Sequence, residues 1–343
     1  MGDLAGESFW GWVVVPLAVL GASVWLSGIA RNWLRRRAIL DHPGERTSHE
    51  NATPRGGGIA LVPVVLFAWM MLTLAGLAPG ATFGITALAA ALALVSWYDD
   101  LDELAFGWRL AAHLLAAALG TTYLLGPAPV FQGLLPPLAD RIVVVLLWTW
   151  FINLYNFMDG IDGITCVETI TIGVGIVLVA HLAGDDAHVT AAALALVAGA
   201  LGFLRWNWPR AGIFLGDVGS VPLGFMTGWP LLLLATQGHW APALILALYY
   251  LADATVTLLR RLLRGERIWQ AHRSHFYQRA LAADNDHGAV LKLIIGGDAA
   301  LLLLAIVAIR FPWPALIVAA LAVTSLLAQL SRRARRVMTL PPL

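Results

Sequence analysis

The sequence predicts an all-α, polytopic membrane helix bundle, and three observations carry that prediction. The 343 residues are 59% hydrophobic and only 13% charged, about half the charge of a soluble domain, with a mean hydropathy of +0.76. The apolar residues gather into about eleven runs, each close to the roughly 20 residues that cross a bilayer. Basic residues collect after every other run, so the positive-inside rule fixes an orientation.

The runs fall near 10–29, 58–76, 81–97, 108–126, 140–155, 165–182, 187–205, 219–236, 240–259, 292–309 and 312–330. The N-terminal MGDLAGESF holds acids and no basic residue, unlike a signal peptide. Arg31, Arg35, Arg36 and Arg37 follow the first run, and later basic residues cluster at Arg46, Arg55, Arg205, Arg210, from Arg260 to Arg279 and from Arg332 to Arg336. The loops between these clusters carry little beyond Arg141 and Arg310. The N-terminus is therefore expected outside and the C-terminus in the cytoplasm. A single cysteine, Cys166, excludes a disulfide framework. With no repeat and no linker, 1–343 reads as one integral membrane domain. Its polar loops, about 30–57, 98–107, 153–164, 205–219 and 260–290, are expected on the cytoplasmic face.

Those loops hold the chemistry. NLYNFMDGIDG places Asn153, Asn156, Asp159 and Asp162 three apart at the end of an apolar run. On a helix that spacing lets oxygens converge, and the Asp-Gly pairs allow a turn behind them. Oxygen ligands suit Mg²⁺, and Mg²⁺ suits phosphates; an Asp-Gly pair also simply ends a helix. WYDDLDEL gathers Asp99, Asp100, Asp102 and Glu103, a costly cluster of like charge that a cation or water relieves. Arg109 and His113 lie one and two turns into the next run and can face those acids.

The first loop, DHPGERTSHENATPRGGG, is broken by Pro and Gly, and its GGG can bring backbone N–H groups to an anion. A solvated turn is its bland alternative. FLRWNWPRAGIFLGDVGS sets Asp217 between Gly216 and Gly219, with Phe214 as a ring for base stacking. Asp217 or Ser220 can equally serve as N-cap of the eighth run. AHRSHFYQR has His272, Arg273 and His275 but no carboxylate or Cys at zinc spacing. It suits an oxyanion, or anionic lipid.

Acids and amides for Mg²⁺, a stacking ring, glycines and an Arg/His loop on one membrane face are equipment for a nucleoside diphosphate beside a lipid. Nothing in the pattern points to nucleic acid.

Five motifs in order, DxPxxRxxH…PRGGG, DDLxxL, NxxNFMDGIDG, FLGDVGS and AHRSHFYQR, run from Asp41 to about Arg279. In them the chain resembles the polyprenyl-phosphate N-acetylhexosamine-1-phosphate transferases, membrane enzymes of the glycosyltransferase family 4 type. The resemblance implies Mg²⁺-dependent transfer (Mn²⁺ as substitute) of a sugar 1-phosphate from a UDP-N-acetylhexosamine to undecaprenyl phosphate, releasing UMP. It implies a bacterial inner-membrane enzyme among membrane lipids, working alone or as a homodimer. Asp217 then matches the principal metal ligand, with Asn156 beside it. Asp99 and Asp100 match the catalytic acidic pair, Asp99 being the better candidate to deprotonate or orient the lipid phosphate. Asn153, Asp159, Asp162, Asn207 and Phe214 fall to the nucleotide and donor pocket. His272, Arg273 and His275 fall to the pyrophosphate or sugar. Arg46, His49, Arg55 and Arg109 support the loops or the lipid phosphate.

Two departures refine this. DDLDE leaves any third-acid role open between Asp102 and Glu103. HRSHFYQ lacks the successive histidines of the peptidoglycan enzyme, which favours the branch that initiates O-antigen or other surface polysaccharides. The alternatives are the peptidoglycan-precursor transferase, a catalytically dead scaffold and a secondary transporter. Asp298 inside the tenth run is the transporter's best support, but the polar clusters sit at one face rather than at the midplane.

Overall fold

A computed structural model describes residues 10–42, 52–184, 187–267, 272–283 and 285–338. Thirteen α-helices are present among them: α1 Val15–Arg36, α2 Gly58–Leu74, α3 Ala81–Leu101, α4 Phe106–Leu119, α5 Pro137–Phe157, α6 Ile164–Ala183, α7 Ala187–Asn207, α8 Asp217–Thr236, α9 Trp240–Leu246, α10 Leu248–Leu263, α11 Phe276–Leu281, α12 His287–Ala308 and α13 Pro312–Met338. Wider π-helical turns lead into α1 (Trp10–Val14) and continue α4 (Gly120–Leu124). The only strands among the described residues are β1 Leu40–Asp41 and β2 Thr53–Pro54, an antiparallel pair in register Leu40↔Pro54.

The chain is an all-α, multi-pass membrane protein. Among the described residues, eight helices are long and apolar enough to cross a bilayer, or nine if α9 and α10 form one span. Every one of the eleven apolar runs is helical. Two are short: α2 has 17 residues, and α4 has 14 before its π-helical extension. The run expected at 240–259 is broken, because α9 and α10 meet at an angle of 64°. The outward faces are greasy: Trp25, Leu94, Trp108 and Leu321 are 67%, 72%, 73% and 64% exposed. A soluble protein rarely shows so much apolar surface, whereas lipid covers it without cost.

Helix α8 is the axis of the bundle. Its apolar stretch is 89% buried, against 22% for the first span. Small residues allow this, since Gly224 packs on Tyr155 and Gly228 on Trp148. Trp148 lies flat on Phe225 at 4.6 Å and donates to the Phe225 carbonyl. The most enclosed helix therefore begins at Asp217, and its first turn is fixed by the surrounding core.

Candidate active site

Four segments meet at the start of α8. The GGG segment forms backbone hydrogen bonds with the loop before α8: Gly57 N donates to Phe214 O and Gly58 N to Leu215 O, both at 2.8 Å. Gly58 lies directly on Gly219, and a Cβ there would meet its backbone. These glycines serve close loop packing, and the expected anion-binding role for the amides of Gly57 and Gly58 is not what they do here. The contact brings Arg55 over α8.

Arg55 Nη2 lies 2.9 Å from Asp217 Oδ1 and 3.0 Å from Asp100 Oδ1. The Asn156 amide donates to Asp217 Oδ2 at 3.0 Å, while Ser220 Oγ donates to Asn156 Oδ1 at 2.9 Å. So Asn156 turns its nitrogen towards Asp217 and holds that carboxylate in place. Ser220 fixes which way the amide points. Burial opposes the charge of Arg55, but Asp217 and Asp100 together raise its pKa.

The neighbouring acids face different ways. Asp100, whose side chain is 1% exposed, accepts from the backbone N–H groups of Asp217 (3.2 Å) and Val218 (2.9 Å). Neither Asp217 nor Ser220 caps α8; a carboxylate from α3 does so instead, satisfying its unpaired amides and its dipole. Asp99 accepts from Leu104 N at 2.7 Å and from Arg109 Nη1 at 3.0 Å. Arg109 Nη1 also comes within 4.0 Å of Asp217 Oδ2. Asp99, Arg109, His113, Asn153, Asn156 and Asp217 line one small pocket with apolar walls from Val95, Phe106 and Val221. Asp100 is absent from its lining.

Asn207, Asp162, Phe214 and Asp159 lie outside this pocket's lining. Asn207 is buried, accepting from Gly163 N and donating to Ile213 O, both at 2.9 Å. Asp162 accepts from Ala211 N at 2.9 Å and approaches His287 Nδ1 at 3.4 Å. Both tie the loop after α5 to the loop before α8. Phe214 is half-buried and takes part in the same loop pairing. Asp159 accepts from Thr165 Oγ1 at 2.7 Å. Asn153 donates to Thr149 O at 2.7 Å, back along its own helix. Arg46 and His49 lie outside the described residues.

In the histidine loop, His275 is 1% exposed, with Nδ1 at 3.2 Å from Asp253. Asp253, fully buried, also accepts from Phe276 N (3.0 Å) and Tyr277 N (3.3 Å). His275 thus anchors the start of α11. His272 has its pKa lowered to about 4 by burial, then by His275 and Arg261, so it is neutral at pH 7 and offers hydrogen bonds without charge. Arg273 is exposed and lines a separate basic cavity with Arg260, Arg261, Arg264 and Arg279. Asp253 and Thr165 carry no expected role from the sequence, and Ser220 only one as an N-cap, which it does not fill. For Asp253 a signal existed: an acid inside an apolar run.

Burial raises Asp159 from the ordinary 3.8 to about 7; the Thr165 hydrogen bond opposes this and Asp217 adds to it. The folded protein then keeps a proton that the unfolded chain releases. This contribution to stability is full below about pH 4 and is lost as pH rises through about 7. Asp159→Asn is expected to flatten that decline, read as the thermal midpoint of detergent-solubilised protein from pH 4.5 to 8. An unchanged slope contradicts the assignment.

Residues 82–235 match the family model of glycosyl transferase family 4, a stretch that holds Asp99, Asp100, Asn156 and Asp217. The decaprenyl-phosphate N-acetylglucosaminephosphotransferase of Mycolicibacterium smegmatis is 29% identical over 320 residues, 81% of this chain and 78% of that protein. The probable undecaprenyl-phosphate N-acetylglucosaminyl 1-phosphate transferase of Bacillus subtilis is 26% identical over 72% of this chain and 71% of its own length. The undecaprenyl-phosphate alpha-N-acetylglucosaminyl 1-phosphate transferase of Escherichia coli O157:H7 is 26% identical, covering 74% and 72%. Over residues 82–235, and at lower identity over most of its length, the chain is similar to the glycosyl transferase family 4 enzymes. The part matched to the family 4 model contains the whole Asp99–Asp217 pocket and ends before the basic loop that begins at Arg260.

The donor set is compatible with Mg²⁺. Among the described residues no three His, Cys, Asp or Glu side chains form a protein-only metal cage. Mg²⁺ is commonly held by one or two carboxylates, with substrate phosphates and waters completing its shell. Asp217 and Asp99 face one pocket, and the cationic Arg109 already sits between them. That is where carboxylates meet a positive group.

Proposed function

We propose that this protein transfers an N-acetylated amino-sugar 1-phosphate from a UDP-sugar to a polyprenyl phosphate such as undecaprenyl phosphate, releasing UMP, at the start of a lipid-linked surface polysaccharide. One observation carries the reading: Asp99 and Asp217 share a pocket with two arginines at their oxygens and an apolar wall beside them. Asp99 orients the lipid phosphate and accepts any proton it holds. A phosphate oxygen attacks the donor's β-phosphorus, the bond to the bridging oxygen breaks, and UMP leaves with that electron pair. Arg55 and Arg109 offset the charge gathered there. Asp217, oriented by Asn156, would hold Mg²⁺, which when bound neutralises phosphate charge. The names of the relatives support a polyprenyl-phosphate acceptor and make N-acetylglucosamine the first donor to try.

Purified protein, Mg²⁺ and undecaprenyl phosphate are to be tested with a panel of UDP-N-acetylhexosamines for UMP release. No UMP from any donor would sink the proposal. The site is placed on the cytoplasmic face of a bacterial inner membrane. Cysteines introduced beside Asp99, Asp159, Asp217 and His272, in a Cys166→Ala background, are expected to resist an impermeant reagent outside intact cells. Labelling at any of them contradicts that placement.

A further inference from the structure

A second cleft lies away from the Asp99–Asp217 pocket, between α10, α11 and the last turns of α13. It has a volume of about 470 Å³, within the usual range for ligand sites. Arg260, Arg332 and Arg335 line it, and its floor includes Val256, Phe276 and Leu327. No acid is among its lining residues, and no carboxylate pairs with these three arginines among the described residues. Three like charges in one cleft repel, and an anion relieves that cost. Arg260 is preset, with its guanidinium 4.8 Å from the Phe276 ring centroid. Phe276 is in turn anchored through its N–H to Asp253.

We propose that this cleft binds a membrane phospholipid with an anionic headgroup, its phosphate on Arg260, Arg332 and Arg335 and its chains along the apolar side. A lipid fits better than a soluble anion because of where the cleft opens. The apolar stretch of α13 ends at Leu330, just before Arg332 and Arg335, and α10 ends in Arg260 and Arg261, so the arginines lie at headgroup depth. Leu259 and Leu263, 52% and 87% exposed, continue α10's apolar surface there.

The test is native mass spectrometry of detergent-solubilised protein titrated with phosphatidylglycerol and with phosphatidylcholine of the same chain length. Wild type is expected to retain phosphatidylglycerol at least tenfold better. Arg332→Gln/Arg335→Gln is expected to lose that preference, with the single Arg335→Gln intermediate. Arg35→Gln/Arg36→Gln, at the end of α1, should keep it. Three results overturn the proposal: a preference that survives in the α13 double variant, an equal loss in the α1 variant, or full displacement of the lipid by millimolar inorganic phosphate. The first removes the cleft, the second shows diffuse surface charge, and the third makes the ligand a free anion.

Discussion

Asp217→Asn is expected to lower UMP release by a factor on the order of 10²–10³, the usual cost of removing one preorganised electrostatic group from a reaction centre. The side chain keeps its shape, and the remaining carbonyl can still accept from Arg55 or Asn156. What disappears is the negative charge that Arg55 at 2.9 Å and Arg109 at 4.0 Å are arranged around, and with it the proposed Mg²⁺ ligand. The fold should survive, because the two arginine side chains are 43% and 35% exposed, and such ion pairs add little to stability. Two readings check this: UMP release across a Mg²⁺ titration, and the thermal midpoint. Raising Mg²⁺ should not restore the rate, while a chelator should silence the wild type. Turnover within tenfold of wild type would remove Asp217 from the centre of the reaction.

The sequence made the spans legible because apolar length is a one-dimensional signal. The run placed at 165–182 is the helix Ile164–Ala183, and that at 219–236 is the helix Asp217–Thr236. The bend between α9 and α10 left no mark: it falls at Ala247, with neither Gly nor Pro at the break. Arg109 was legible as a partner of the acids, and His113 as a residue lining their pocket, because one and two helical turns set their direction. The pairing of Asp217 with Arg55, 162 residues away, was not, and Asn156, 61 residues away, came beside Asp217 only through the family resemblance. The GGG segment read as a place for an anion, whereas the fold packs Gly57 on Phe203 and Gly58 on Gly219. In the same way, polar residues around the motifs read as ligands, whereas Asn207, Asp162 and His275 have their polar atoms engaged in holding loops together.

Asp99 and Asp100 are expected to separate on substitution, because adjacent helical residues point about 100° apart. Asp100→Asn puts an amide where a carboxylate accepts from two backbone N–H groups and from Arg55. One donor must then face another inside a site that is 1% exposed. A lost charged hydrogen bond costs about 1.5–3 kcal/mol, and the half-exposed Arg55 adds little to that. The thermal midpoint should fall by several degrees, and turnover should fall with it as the first turn of α8 shifts. Asp99→Asn differs. Its remaining carbonyl can still accept from Leu104 N, and the pair it loses with the part-exposed Arg109 contributes under about 1 kcal/mol. Its midpoint should stay near wild type while UMP release collapses, and donor affinity by calorimetry should hold if Asp99 acts on the lipid phosphate. The two variants, each measured for midpoint, rate and donor affinity, decide the assignment. If Asp99→Asn is the unstable one and Asp100→Asn keeps its midpoint but not its rate, the acid that anchors α8 and the acid that meets the substrate have been exchanged.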